Sequence, residues 1–523
     1  IDVKRNNMRV GGIQLTILLG SMLVLTLLGT PIGLSAQNCT DQNVTDQAEL
    51  NVAIEIYNSE CAIDDSMTIT IAETILLLEE TTPINNNSGA QLALRGGGTL
   101  DGSSTVQILS IAAAEMVIED LSFINGLGGI DGGGAIFNDS NGTLSLENVQ
   151  LSNNVSNFNL GGAIFNRGTI RQISNVTFAD NSTDALGGAI SNSGTIQRIV
   201  NTTFQNNFGG FSSGAINNSF NGLIIEIIQS TFSKNEAANS AGAIGNGGTI
   251  LSISESSFLR NISGTNGGAI TNSNDSRIRQ IIKSVFIENT AERFGGAISN
   301  AGEIDLISNT TFIANQTPGS GGGVMNTAGS NFGGNIETIS NSTFVDNTAR
   351  AGGALGNLGG IEEITQSTFS ANDALFGAAI FNEGIGGTAG LIESIQFVTI
   401  FNNGNGSDGT GIYNNASSQI TIESSIVADN GGGDCISFGT FSALGANLDS
   451  DGTCTGFSLP SADPQLLPLA DNGGLTETHA LTADSPAIDV AESCPEETAT
   501  DQRGAPRPAG ESCDLGAYEF QPN

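Results

Sequence analysis

The chain has 523 residues, with 16 Lys+Arg against 53 Asp+Glu, a formal charge of −37 that excludes a nucleic-acid binder working through general basicity. A hydrophobic share of 38% with only 13% charged residues excludes a solvated disordered chain. Trp is absent and Phe numbers 25, so Phe is the bulk filler of the core.

The first element, residues 1–36, reads as a secretory signal peptide. Lys4, Arg5 and Arg9 precede an apolar run from Ile13 to Leu28, followed by Gly29, Pro31, Gly33, Ser35 and Ala36. That is the basic, apolar, small-residue order of such a signal, with Met8 as the start and cleavage near Ala36. The apolar run is short of the roughly 20 residues a membrane-spanning helix needs. The mature chain is therefore expected to carry no transmembrane span. Export into an oxidising compartment makes the six cysteines disulfide candidates. They fall as Cys39 and Cys61, Cys435 and Cys454, Cys494 and Cys513, with no Cys-x-x-Cys spacing for a metal. Six cysteines allow 15 pairings; sequence-adjacent pairing, stapling the two ends, is the reading adopted.

Residues 37–119 read as an N-terminal cap together with the first coils of a repeating structure. From 120 to 415 the sequence repeats at about 27 residues. One anchor is the alanine of Gly-Gly-Ala-Ile (Ala135, Ala163, Ala189, Ala215, Ala243, Ala269, Ala297, Ala354, Ala379), and a second is the Phe of Phe-x-x-Asn (Phe178, Phe204, Phe232, Phe258, Phe286, Phe312, Phe344, Phe369). Ile residues stand eight and five before the Phe, as in Ile170 and Ile173. Short β-type runs separated by Gly/Asn/Ser turns predict an all-β, right-handed, single-stranded parallel β-helix of about eleven coils with disulfide-stapled caps. At about 4.8 Å per coil the rod is on the order of 50 Å long. The Ile-x-x-Ile spacing breaks strict alternation and predicts a bend or bulge between the two.

Stacking turns fixed offsets into columns. Asn three after the Phe (Asn181, Asn207, Asn235, Asn261) and Asn three after the Ala (Asn166, Asn192, Asn246, Asn300) are read as structural ladders, because an amide both donates and accepts. Thr just before the Phe makes a third column.

The coil lengths of 26, 28 and 32 residues follow from one turn. From the Asn after Ala-Ile to the first strand Ile, six residues run from Asn218 to Ile224 and from Asn272 to Ile278, and ten from Asn326 to Ile336, against four in most coils. These insertions project along one edge of the rod, with a fourth at 383–390. Such an edge is often the binding face of a repeat protein. Its candidate contacts are Asn217, Asn218, Asn221, Asn274, Asp275, Arg277, Asn331, Phe332 and Asn335.

Gly-Gly-Ala-Ile alternating with Phe-x-x-Asn resembles the repeat of the polymorphic outer-membrane proteins of chlamydiae, within the pectate-lyase-like superfamily of β-helices. Residues 416–523 are similar to the choice-of-anchor Q domain. The motifs carrying that similarity include Leu469 to Gly474, Thr478-His479-Ala480-Leu481, Ser485 to Asp489, Asp501-Gln502-Arg503-Gly504 and Cys513 to Phe520. The resemblance implies a secreted or surface-displayed β-helix, outer-membrane associated, with adhesion as its usual role. The 126 residues after Phe397 read as a capping domain rather than barrel strands, so self-anchoring by a barrel is not expected.

A polysaccharide lyase or hydrolase on this scaffold would need acids at matching offsets on neighbouring coils. Two residues after the Phe the column reads Asp180, Asn206, Lys234, Arg260, Glu288, Ala314, Asp346, Ala371, a mixed-sign solvated face. His479, the sole histidine, lies in a tail motif and reads as structural. No cofactor is expected; calcium is conceivable at Asp429 to Asp434 and Asp449 to Gly452, neither of which completes a twelve-residue calcium loop. The resulting expectation is a non-enzymatic adhesin or structural surface element. Its partner would be a host or neighbouring cell-surface glycan or protein, not nucleic acid. The alternatives are a polysaccharide-degrading enzyme or a self-assembling filament subunit.

Overall fold

Each inward anchor of the repeat is buried to completion: Ile170, Ile173 and Phe178, and their equivalents through Ile361, Ile364 and Phe369, expose essentially nothing. The computed structural model, which describes residues 39–157, 160–327, 334–384, 390–404, 409–495 and 498–522, places these side chains inside a parallel β-solenoid. One coil serves for all. A first row (Ile190–Asn192) turns at Gly194 into a second (Thr195–Val200), then a third (Thr203–Gln205) and a short fourth (Phe208–Gly209). First and second rows join in a 28-stranded sheet, third rows form a 15-stranded sheet and fourth rows a 6-stranded one.

Fifteen stacked third-row strands make about 14 turns, not eleven. The extra coils lie on both flanks of the readable repeat, where strands as early as Thr74–Leu76 and as late as Leu448–Asp449 join the same sheet. The rod is accordingly roughly 65–70 Å long at about 4.8 Å per coil.

The predicted bulge is present and stacked. Ile170 and Ile173 pair with Leu144 and Leu146, which alternate strictly, and the register slips by one residue between Ile170 and Gln172. The reverse slip occurs where Ile392 and Ile395 meet Ile420 and Ile422. Between those coils every second-row strand carries the extra residue, so neighbours remain in register.

Corners are set by backbone conformation. Asn201 and Asn206, flanking the third row, have φ of 47° and 54°, and the residues at the second of these corners run Asp180, Asn206, Lys234, Arg260, Glu288, Ala314, Asp346, Ala371 with φ between 52° and 56°. That column is mixed because its side chains leave the corner into solvent while the next residue, a buried Asn, fixes the turn. Gly188 of Gly-Gly-Ala has no room for a side chain: a Cβ there would lie 2.2 Å from Gly214 O of the next coil.

Eight phenylalanines from Phe178 to Phe369 stack with centroids 4.6–4.9 Å apart and planes within 9°. Two amide ladders run beside them. In one, Asn138, Asn166, Asn192, Asn218, Asn246, Asn272, Asn300 and Asn326 each donate Nδ2 to Oδ1 of the next at 2.7–2.9 Å. In the other, Asn154, Asn181, Asn207, Asn235, Asn261 and Asn289 do so at 2.9–3.0 Å. The Thr column before the Phe points outward and forms no such ladder. The hydroxyl ladder is one residue earlier, where Thr202, Ser230, Ser256 and Ser284 each offer their N–H to the oxygen of the next coil at 3.2–3.5 Å.

At the N-terminal end a helix, Gln47–Glu60, is capped by Asp46, which accepts from Glu49 N at 2.9 Å, and inserts Leu50, Ile54 and Tyr57 into the core. Cys39–Cys61, Cys435–Cys454 and Cys494–Cys513 form the three sequence-adjacent disulfides. Beyond Asp449 the chain leaves the coil. Phe457 packs near Phe441 of the last coil, and the segment from Pro464 onward lies along third rows of the coils from Asn341 to Ala428. Among the described residues no helix is long and apolar enough to cross a membrane. Residues 1–36, read as the signal segment, lie outside the described residues.

Candidate ligand-binding face

The insertion edge sits between first and second rows. The inserted turns close over the amide ladder: Asn218 Nδ2 donates to Gly222 O at 3.1 Å, and Ser276 Oγ to Asn272 Oδ1 at 2.7 Å. Asn218 is therefore fully buried as a ladder rung and is not a ligand contact, a correction to its reading as a binding residue. Arg277 opens a second-row strand and pairs with Asp305 at 2.8 Å, and Asn335 likewise opens a strand. Both belong to the sheet face rather than to a projecting turn. Asn221, Asn274 and Asp275 are exposed on the turns. Asn331 and Phe332 lie outside the described residues.

Beside this edge lies a groove of about 570 Å³, lined by Leu186, Phe211, Ser212, Ser213, Asn217, Asn218, Ser219, Phe220, Asn239, Ser240, Gly245, Gly247, Thr265, Thr271 and Ser273. Its floor is the outward position of the first row, where Ser191, Asn217, Gly245, Thr271 and Ser299 are register partners on successive coils. Phe220, in the insertion turn, and Phe211, in the connection back to the first row, are 75% and 60% exposed. Asn217 donates to Ser191 Oγ and Ser219 Oγ, both at 3.2 Å. None of these lining residues is ionisable. Phe211 and Phe220 do not stand out in the sequence because they fall between the periodic anchors. The signal available was an aromatic residue inside a length-variable turn.

A second groove of about 790 Å³ lies on the second-row face between Gln197 and Leu306. Its charges are spent on one another: Arg198 meets Glu226 at 2.8 Å, and Asp305 accepts Arg277 at 2.8 Å with Arg279 3.8 Å away. Glu226 and Asp305 are three coils apart, roughly 14 Å at the strand spacing, beyond the ~9.5 Å limit for paired glycosidic carboxylates. Unlike the mixed-sign column after the Phe, one outward column of the second row does gather acids. The residues after the register-paired Ile304, Ile336, Ile361 and Ile392 are Asp305, Glu337, Glu362 and Glu393, four acids on consecutive coils. Glu337, Glu362 and Glu393 are exposed on the open strand face.

The calcium candidates converge. Carboxylate oxygens of Asp434, Asp449 and Asp451 lie within 4.8 Å of one another. Donors of the chain already occupy every one. Asp434 accepts from Asn430 Nδ2 at 2.9 Å and from Ser450 N and Oγ at 2.7 Å; Asp451 accepts from Asp434 N and Thr453; Asp449 accepts from Cys454 N and Ser461 Oγ. A calcium ion, which takes six to eight oxygens, would have to share every one of these carboxylates with the chain's own donors. The role of the acidic set is visible in the ladder: Asn403 donates to Asn430, and Asn430 to Asp434. The donor end of a column of aligned amides is thus closed by a carboxylate. Burial pushes the Asp434 carboxyl up, against the hydrogen bonds from Ser450 and Asn430.

His479 is committed to the tail seam. Its Nδ1 lies 2.8 Å from Leu467 O and its Nε2 2.9 Å from Ser370 Oγ, with the ring edge-on to Phe401. Around it the tail motifs interlock. Thr368 donates to Gln502 Oε1 at 2.7 Å, Gln502 donates to Thr343 at 2.9 Å, and Arg507 pairs with Glu519 at 3.0 Å, both fully buried. No family model matches the chain, and no curated protein matches it either.

Proposed function

We propose that the protein is a non-catalytic binding rod, exported and displayed on or released from the cell surface, acting as an adhesin or structural surface element through its insertion edge. The observation that carries this reading is the groove at that edge, whose lining holds hydroxyls, amides and exposed rings but no group able to move a proton. Three formed disulfides favour an oxidising compartment. The solenoid is consistent with the pectate-lyase-like superfamily; the doubled repeat motif supports kinship with the chlamydial outer-membrane repeats, and Thr478-His479-Ala480-Leu481 and Asp501-Gln502-Arg503-Gly504 support the choice-of-anchor Q reading of the tail.

The test compares the purified rod with a version lacking Phe220, Asn221, Asn274 and Asp275. The first deletion restores the Asn-Ser-Gly-x-Ile turn seen at Asn192–Ile196, so the fold tolerates it. Whole-cell binding lost only in the trimmed rod supports the reading. Equal binding by both refutes the edge. The acid column Asp305, Glu337, Glu362, Glu393 favours one competing reading, a polysaccharide lyase or hydrolase on the second-row face. Release of oligosaccharide from any glycan, abolished by Glu337→Gln or Glu362→Gln, would establish it.

A further inference from the structure

The geometry points to an uncharged oligosaccharide as the occupant of the groove between Phe211 and Phe220, an inference that rests on the edge reading above and names its ligand class. The first argument is charge. The chain carries −37, and the groove offers neither Lys nor Arg to neutralise an anionic polymer nor a carboxylate to hold a cation. A ligand without formal charge meets no penalty there.

The second argument is the pairing of surfaces. The phenylalanines of the repeat column are fully buried, whereas Phe211 and Phe220 are left 60% and 75% exposed on opposite banks. Between them the floor is polar and shallow-sided, with Asn217, Gly245 and Thr271 stacked on successive coils. Asn217 uses its amide N–H groups on Ser191 and Ser219, which leaves its carbonyl oxygen to accept from a ligand. At Gly245 a Cβ would lie 2.2 Å from Ser213 Oγ, so a packed hydroxyl fills the place where other coils carry Phe137, Phe165, Phe381 or Tyr413. Apolar ring faces on two sides and hydroxyl and amide groups below match a sugar ring, with its C–H faces and equatorial hydroxyls. The volume of about 570 Å³ is that of a small-molecule site.

The third argument separates a sugar from a peptide. Peptides captured on β-structures add a strand to an open sheet edge. Here the first-row strands Ile216–Asn218, Ile244–Asn246 and Ile270–Asn272 are paired on both sides, so no backbone edge is offered.

The test is calorimetric titration of the full-length protein with cellohexaose, mannohexaose, maltohexaose and fully N-acetylated chitohexaose, beside hexagalacturonate, at low and physiological salt. At least one neutral hexamer should bind, with affinity unchanged by salt. Phe211→Ala and Phe220→Ala, both at exposed positions, should each weaken it tenfold or more while leaving the far-ultraviolet spectrum unchanged; Thr271→Phe should block the floor. Binding of hexagalacturonate alone, or equal binding by wild type and both Phe variants, overturns the inference. So does whole-cell binding that depends on the edge while every neutral hexamer fails, a result that leaves the edge reading standing. Failure of both assays removes both.

Discussion

Asn261 sits mid-ladder and tests whether the amide columns hold the rod together. Its Oδ1 accepts from Asn235 N and Nδ2 at 3.0 Å each, and its Nδ2 donates to Phe232 O and Asn289 Oδ1 at 2.9 Å each. Asn261→Ala strips all four bonds in a site with no exposure to water. Asn235 Nδ2 keeps Phe204 O, and Asn289 Oδ1 keeps the Asn261 N–H, but the Asn235 N–H loses its acceptor. One orphaned buried N–H costs about 1–3 kcal/mol, and three further lost bonds about 0.5–1.5 kcal/mol each, giving about 2.5–7.5 kcal/mol in all. Lys234→Ala, one residue before a rung and on the solvent side, should change stability by less than ~0.5 kcal/mol. Urea denaturation followed by circular dichroism measures both, and hydrogen exchange at the Asn235 amide reads the lost bond directly. A loss below ~1 kcal/mol, with Asn235 still protected, would refute the ladder as a source of stability.

Four further outcomes are expected. Asn246→Ala should destabilise more than Asn138→Ala, because Asn138 Oδ1 already lacks a partner at the start of its column; paired urea midpoints decide it. Burial holds the His479 imidazole below its ordinary 6.5, so its contribution to tail docking is present above that pH and lost as pH falls. Burial pushes Asp514 up to about 6, so its contribution is present below its ordinary 3.8 and lost as pH rises through 6. The two oppose each other in the wild type: limited proteolysis of the tail should show loosening on acidification in Asp514→Asn and tightening in His479→Gln. Reducing the disulfides should free the tail from its seam while second-row amides of the central coils stay protected, since no bridge closes a loop through them. Glu362→Gln should raise stability at low salt by about 0.2–1 kcal/mol by relieving the like charges at Glu337 and Glu393, and the gain should vanish at high salt.

The repeat interior was legible because stacking makes every coil solve one problem with the same residues. Phe-x-x-Asn places a ring inward and an amide at the next corner, and nothing distant in sequence alters that. What escaped depends on non-repeating contacts. The seam made by Thr343, Thr368, Gln502 and His479 joins residues more than 100 positions apart, and no period announces it. Asp434 looked like a metal ligand because sequence displays the carboxylate and hides the Asn430 amide that reaches it. The acid column does not lie at the corner after the Phe, where the offsets are easiest to compare. A stacked bulge gives the second row an extra outward position, and there Asp305, Glu337, Glu362 and Glu393 align.

The outward position of the first row isolates what the fold does not decide. Phe137, Phe165, Ser191, Asn217, Gly245, Thr271, Ser299, Met325, Gly356, Phe381 and Tyr413 occupy equivalent places in register, each between an inward aliphatic residue and a buried Asn. Backbone, pairing and inner neighbours are held constant, yet the residue ranges from glycine to tyrosine. Packing against the neighbouring connections sets part of that range, since Met325 and Phe381 are buried with Ala351 and Leu358, and Gly245 makes room for Ser213. Asn217, Gly245 and Thr271 instead border the groove between Phe211 and Phe220. Rings crowd the two ends of this column, and the small polar stretch between them coincides with the two-residue insertions at Asn217–Gly222 and Ser273–Arg277. The insertions therefore raise the bank on the coils of Asn217 and Thr271, either side of the ordinary-length coil of Gly245, and it is this pair of raised turns that walls the groove.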